Sequence, residues 1–168
     1  MARKQVKSVS GKVVAITGGA RGIGRSTATA LIHRGARVAI GDLDVALAER
    51  TAEELGGKAV ALELDVTNRA SFASFLDAAE SELGPVDVLI NNAGIMPIGP
   101  FVEETDETAR LMVDINLHGV IYGTKLALER MQPRRSGHIV NVASQAGKAG
   151  LPGGATYCAT KHAVVGLS

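Results

Sequence analysis

Tyr157 and Lys161 stand four residues apart in Tyr157-Cys158-Ala159-Thr160-Lys161. On a helix that spacing puts both side chains on one face, about one turn (roughly 6 Å) apart. An ammonium beside a phenol favours the phenolate and brings a group whose free pKa is about 10 toward neutrality, where it can exchange a proton with an alcohol. Ser144 precedes this pair, just past an apolar run, and its hydroxyl could hydrogen-bond a substrate oxygen as charge develops there. Taken singly, a turn serine, an amphipathic tyrosine and a surface lysine are more often structural.

A second constellation lies near the start, in Thr17-Gly18-Gly19-Ala20-Arg21-Gly22-Ile23-Gly24. It falls where a β-branched run gives way to a helical pattern, so a pyrophosphate could bind the free amides and the positive dipole end of the helix. Gly18 would make the tight turn, Gly22 would admit the phosphates and Gly24 would let the helix pack on the strand. The spacing, Gly-x3-Gly-x-Gly, departs from the commoner dinucleotide fingerprint, and read alone it is also a flexible turn.

Asp42, 18 residues beyond Gly24, stands where a carboxylate can accept hydrogen bonds from an adenosine ribose. That points to NAD, with NADP second. Arg21 is a counter-signal, since a guanidinium in the glycine loop could hold a 2′-phosphate. Asp42 outranks it because a carboxylate about 4 Å from a phosphate is repelled by roughly 1–4 kcal/mol per charge pair. The alternative is that Asp42 or Asp44 only caps the helix that follows.

Together these features resemble the short-chain dehydrogenase/reductase family from Lys12 to Ser168. The resemblance rests on Thr17-Gly18-x-x-x-Gly22-x-Gly24, Asn91-Asn92-Ala93-Gly94, Asn116, Ser144 and Tyr157-x-x-x-Lys161. It implies an oxidoreductase moving hydride between NAD(H) and an alcohol, ketone or aldehyde. Tyr157 would be the acid/base, and Lys161 would tune it and hold the nicotinamide ribose. Asn116 would be a fourth catalytic position at a local helix distortion, or else a kink with no catalytic part. Asn92, Ala93 and Gly94 would contact the adenosine side of the cofactor and support the sheet, and Asp65-Val66 would touch the adenine, unless Asp65 or Thr67 merely caps the next helix. Arg21 and Ile23, within the glycine turn, join the expected cofactor contacts.

The elements that must position these residues read as an α/β, doubly wound parallel sheet, because short apolar runs alternate with helical periods. The strands are expected at Val13–Thr17, Arg37–Gly41, Ala59–Leu64, Val86–Ile90 and His138–Val142. Leu47, Ala48, Thr51, Ala52 and Leu55 predict a helix capped by Asp44 and ended by Gly56. Phe72, Phe75, Leu76, Ala79 and Leu83 predict another after Thr67, stopped at Gly84-Pro85. A long helix is expected over Asp106–Met131, and a last one begins near Tyr157. Residues 1–11 read as a flexible tail and residues 12–168 as one Rossmann domain.

Composition narrows the classes. With 17 acidic against 18 basic residues, no global field draws in nucleic acid or an anionic membrane. Twenty glycines and five aromatic residues suit close backbone approaches better than stacking platforms for bases. The lone Cys158 excludes an internal disulfide and fits a reducing compartment, four scattered His give no metal-ligand spacing, and no run approaches the roughly 20 apolar residues of a membrane span. A cytoplasmic protein is the expectation. Apolar loops at Ile95–Phe101 and Ala149–Pro152 would line a site for a hydrophobic alcohol or ketone, or simply pack on each other.

By the same resemblance the strand order is 3-2-1-4-5-6-7 and the complete fold is a homodimer or homotetramer. Its last third, two strands and the helices that cover substrate, is expected to be missing here. The competing expectation is therefore a truncated dinucleotide-binding module with little turnover. Cys158 reads as a small buried helix residue rather than a redox switch.

Overall fold

The computed structural model describes residues 8–168. Of the expected tail, residues 1–7 lie outside the described residues. The part that follows is tied down: the Gly11 N–H donates to the Gly35 carbonyl at 2.8 Å, and Lys12 Nζ meets Asp87 Oδ1 at 2.8 Å.

Five parallel strands form one sheet in the order β3-β2-β1-β4-β5: β1 (Val13–Thr17), β2 (Arg37–Asp42), β3 (Ala59–Glu63), β4 (Val88–Asn91) and β5 (His138–Asn141). β1 is buried along its whole length because it is central, with Ile16 paired to Ile40 of β2 and to Ile90 of β4. Its side chains alternate between two cores. Val13 and Ala15 join Phe72, Phe75, Leu76 and Leu89 on one face, and Val14 and Ile16 join Val38, Ile40, Ala28 and Ala48 on the other. That alternation is the period-2 pleat of a sheet covered on both sides. The edges are less covered, and Val140 of β5 is 39% exposed.

Helices α1 (Gly22–His33) and α2 (Val45–Leu55) follow β1 and β2, and α3 (Arg69–Leu83) follows β3. α2 starts as expected, with Asp44 Oδ1 accepting from the Leu47 N–H, and ends at Gly56 with φ +78°. α3 differs. Its cap is Asn68, whose side chain accepts from the Ala70 and Ser71 amides. Neither Asp65 nor Thr67 caps it, because Asp65 Oδ1 is taken by both the Thr67 N–H and the Thr67 hydroxyl.

The expected single helix over Asp106–Met131 is α4 (Asp106–Val113) and α5 (Gly119–Met131) joined by a π-turn, Asp114–His118. The extra residue of a π-turn leaves the helix axis running but shifts the face that follows. α5 then lies close against the sheet, where Gly123 is required: a Cβ there would stand 2.3 Å from Asn91 Oδ1 and 2.5 Å from Phe72 Cζ. The last helix, α6, spans Ala155–Leu167. Among the described residues no helix is long and apolar enough to cross a membrane.

After β1 the chain builds β2 and β3 on one side, then returns to place β4 on the other side of β1. Connections leaving the carboxyl ends of β1 and β4 therefore part in opposite directions and open a crevice.

Candidate active site

The glycine turn occupies that crevice and is held from three directions. The Gly19 N–H donates to the Gly41 carbonyl at 3.2 Å, and the Ala20 N–H donates to Asp42 Oδ2 at 3.1 Å. From just past β4, Asn92 Nδ2 donates to the Thr17 and Gly18 carbonyls at 2.9 and 3.0 Å. Thr17 Oγ1, buried, accepts the Asn92 and Ala93 amides at 3.0 and 2.9 Å. Thr17 thus ties β1 to β4 at the floor of the crevice.

Each glycine has a separate reason. Gly18 has φ +63° and lies so near Ala93 that a Cβ would come within 2.9 Å of its Cα. Gly24 is buried under the turn, where a Cβ would stand 2.2 Å from the Gly18 carbonyl oxygen and 2.7 Å from Asn92 Nδ2. It packs α1 on the turn itself more than on the strand. Gly22 has φ +55° and open space where its Cβ would be. α1 begins there with no side-chain cap and no acidic residue in its first turn, so its leading amides suit an anion.

A cavity of about 600 Å³ runs from this turn along the carboxyl edge of the sheet. Ten of the expected cofactor residues line it: Gly18, Arg21, Gly22, Ile23, Asp42, Asp65, Val66, Asn92, Ala93 and Gly94. Leu43, Thr67, Ile95, Leu111 and Ile115 line it too, none of them expected as a cofactor contact. Four of the five are apolar, a signal too common to have singled them out, and Thr67 reads from the sequence only as a helix cap. Arg21 does not pair with Asp42. Its Nη2 meets Asp44 Oδ2 at 3.0 Å.

At the other end Gly94 abuts the second constellation, since a Cβ on it would lie 3.1 Å from Asn116 Oδ1 and 3.7 Å from Lys161 Nζ. Asn116, fully buried in the π-turn, closes a two-way bond with Ile95. Its Oδ1 accepts the Ile95 N–H and its Nδ2 donates to the Ile95 carbonyl, both at 2.9 Å. Nδ2 also reaches Thr160 Oγ1 at 3.3 Å, and Thr160 Oγ1 in turn donates to the Tyr157 carbonyl at 2.8 Å. The loop after β4, the π-turn and α6 are joined in one network. Ile95 contributes only backbone, which no side-chain motif reveals.

Lys161 is 5% exposed, and its Nζ donates to the Val142 carbonyl at 2.8 Å. The ammonium sits 5.8 Å from the Tyr157 ring centroid, as the four-residue spacing requires. Burial lowers its pKa below the ordinary lysine value. Ser144 caps the short 3₁₀ turn Gln145–Gly147, its Oγ accepting the Ala146 N–H at 3.1 Å. That bond leaves the hydroxyl hydrogen free to donate. Cys158 is buried, with Sγ accepting the Leu151 N–H.

The first apolar loop meets the residue just past the second, the Gly99 N–H donating to the Gly153 carbonyl at 2.9 Å. Met96, Ile98, Phe101 and Leu151 nevertheless stay exposed.

A family model described as short chain dehydrogenase matches residues 12–168. Sorbitol dehydrogenase of Cereibacter sphaeroides is 41% identical over 161 residues, covering 95% of this chain and 63% of that protein. Galactitol 2-dehydrogenase of Agrobacterium fabrum is 40% identical over 158 residues, covering 94% of this chain and 62% of that protein. The crystal structure of a short chain dehydrogenase/reductase from Burkholderia phymatum in complex with NAD superposes with a TM-score of 0.92 at 33% identity, over 96% of this chain and 59% of that one. The chain thus spans less than two thirds of the length of each of these relatives.

Proposed function

This chain belongs to the short-chain dehydrogenase family, and on that premise we propose that residues 12–168 are the cofactor-binding and catalytic domain of an NAD-dependent alcohol dehydrogenase. The observation that carries the reading is the buried Lys161 ammonium, held by the Val142 carbonyl beside Tyr157. Holding a cation there costs desolvation, and such desolvated groups beside a potential acid/base gather at functional sites.

The residues of the crevice fit a dinucleotide. The uncapped amides of α1 and the open space over Gly22 suit a pyrophosphate, Asp42 the ribose hydroxyls, and Asp65 with Val66 the adenine. When bound, the cofactor supplies or accepts the hydride. Asp42 favours NAD over NADP by repelling a 2′-phosphate.

The chain's own residues handle the proton and the oxygen. Ser144 Oγ donates its free hydrogen to the substrate oxygen and orients it. Tyr157 gives or takes the hydroxyl proton. Lys161 stabilises the phenolate through space and grips the nicotinamide ribose. Asn116 fixes the Ile95 loop against α6, so that Tyr157 and Lys161 keep their distance from the crevice.

The exposed apolar side chains Met96, Ile98, Phe101 and Leu151 favour a hydrophobic secondary or primary alcohol, or the matching ketone or aldehyde. Sugar alcohols enter the comparison because two relatives are named for them. The active protein is read as a homodimer or homotetramer. The test is to supply the whole protein with NAD and a panel of cyclic, medium-chain and sugar alcohols and to follow the absorbance of reduced nicotinamide. NAD-dependent oxidation of at least one class is expected, and none with any alcohol, in a folded protein that binds NADH, contradicts the reading.

A further inference from the structure

We propose that Asp44 is a cofactor-specificity residue that acts through Arg21, drawing its guanidinium away from the adenosine 2′-position; this rests on the reading that the crevice takes NAD. Arg21 is the residue best placed to welcome NADP. It occupies the position before α1 without capping it, lines the cavity with Asp42 and carries a guanidinium, the group that pairs with phosphate in two parallel bonds. Left unpaired, it would offset the repulsion that Asp42 exerts on a 2′-phosphate.

It is not left unpaired. Arg21 Nη2 meets Asp44 Oδ2 at 3.0 Å, and Asp44 is not among the residues lining the cavity. The carboxylate is held where it can do this. Its other oxygen accepts the Leu47 N–H at 3.1 Å as the cap of α2, its own backbone N–H donates to Asp42 Oδ1 at 3.2 Å, and the helix dipole favours its charge. Asp42 Oδ2 in turn holds the Ala20 amide. Glycine turn, Asp42, Asp44 and Arg21 therefore close a ring of contacts at the ribose end of the crevice. The next cation of α1 is matched in the same way, Arg25 with Glu54 of α2.

The pair is exposed, with side-chain accessibilities of 65% and 47%, so it biases Arg21 instead of locking it. A surface pair changes such a population by up to about fivefold. That sets the size of the effect.

The experiment titrates NADH and NADPH by fluorescence into the whole protein as wild type, Asp44→Ser, Arg21→Gln and the double variant. Serine keeps a helix cap but offers Arg21 no charge, and Asp44→Asn serves as a second cap-preserving variant; thermal melting confirms that each is folded. Asp44→Ser should shift the ratio of NADPH to NADH affinity toward NADPH by about fivefold, and the shift should vanish when Arg21 is already Gln. No shift overturns the proposal. A shift of equal size in the Arg21→Gln background also overturns it, since Asp44 would then act by repelling the phosphate directly. A wild type that prefers NADPH contradicts the NAD reading itself, whereas the coupling between Asp44 and Arg21 is read from the same titrations and stands or falls separately.

Discussion

Lys161 Nζ lies 5.8 Å from the centroid of the Tyr157 ring while donating to the Val142 carbonyl just past the end of β5. The sheet therefore sets where the charge sits, and α6 sets where the phenol sits relative to it. Burial lowers the lysine pKa from 10.5, so between its folded value and 10.5 the unfolded chain binds more protons than the native one. The burial penalty is full below the folded value and disappears above 10.5. Urea unfolding across alkaline pH should show wild type gaining stability relative to Lys161→Met as pH rises through that window. A pH-independent difference would mean that Lys161 is not desolvated.

The glycine turn separates folding from binding. Gly24→Ala puts a Cβ 2.2 Å from the Gly18 carbonyl oxygen, and with backbone on the other side the cost should reach about 3 kcal/mol. Gly22→Ala meets no atom but must hold φ +55°, which costs about 1–2 kcal/mol. Melting should rank Gly24→Ala as the more destabilised, while Gly22→Ala should lose NADH affinity by more than its stability loss explains. Equal affinity in Gly22→Ala and wild type would remove Gly22 from the phosphate site.

Asp87 joins the start of the sheet, accepting from Lys12 Nζ and from the Val13 amide at 3.0 Å. Burial raises its pKa, but the Lys12 and Val13 bonds and the charges of Lys12 and Arg134 outweigh it, so the carboxyl lies below the ordinary 3.8. The stabilisation is thus present above the unfolded value and lost as pH falls through the folded one. Asp87→Asn should cost about 1 kcal/mol at neutral pH, and the gap from wild type should close under acid. A gap unchanged at low pH would assign the loss to packing.

Much of this was legible because side-chain type carried it. Tyr157 and Lys161 share a face by spacing alone, and Asp44 before Leu47 announces the start of α2. Other features had no such signal. Asp65, Thr67 and Asn68 are all able to cap α3, and only the turn geometry shows that Asp65 is spent on Thr67. β4 starts at Val88 and not Val86, because pairing with β1 begins opposite Val14 while Val86 is buried ahead of the strand. The π-turn at Asp114–His118 stands where the family resemblance implies a local helix distortion at Asn116, although the apolar pattern of so long a helix absorbs a one-residue shift and does not show it by itself. The grips on Lys161 and Asn116 come from the backbone of Val142 and Ile95, which nearly any residue type could supply, proline excepted at Ile95. Thr17, quoted within the glycine motif, turned out to be the tie between β1 and β4.

Asp42 both pins the Ala20 amide and faces the cavity. Asp42→Ala should raise NADPH affinity relative to NADH by roughly fivefold or more, in line with removing about 1–4 kcal/mol of repulsion. Fluorescence titration with both cofactors checks it. A wild type that binds NADPH as tightly as NADH would contradict the assignment.

The central claim is that Tyr157 carries the proton and does not build the site, and the most direct measurement compares turnover with NADH affinity in Tyr157→Phe. Using an alcohol that the wild-type protein oxidises, turnover should fall by at least about 100-fold, the loss typical of a missing general acid, while the dissociation constant for NADH changes by less than about threefold, or roughly 0.7 kcal/mol. Turnover at the wild-type level in Tyr157→Phe would contradict the account.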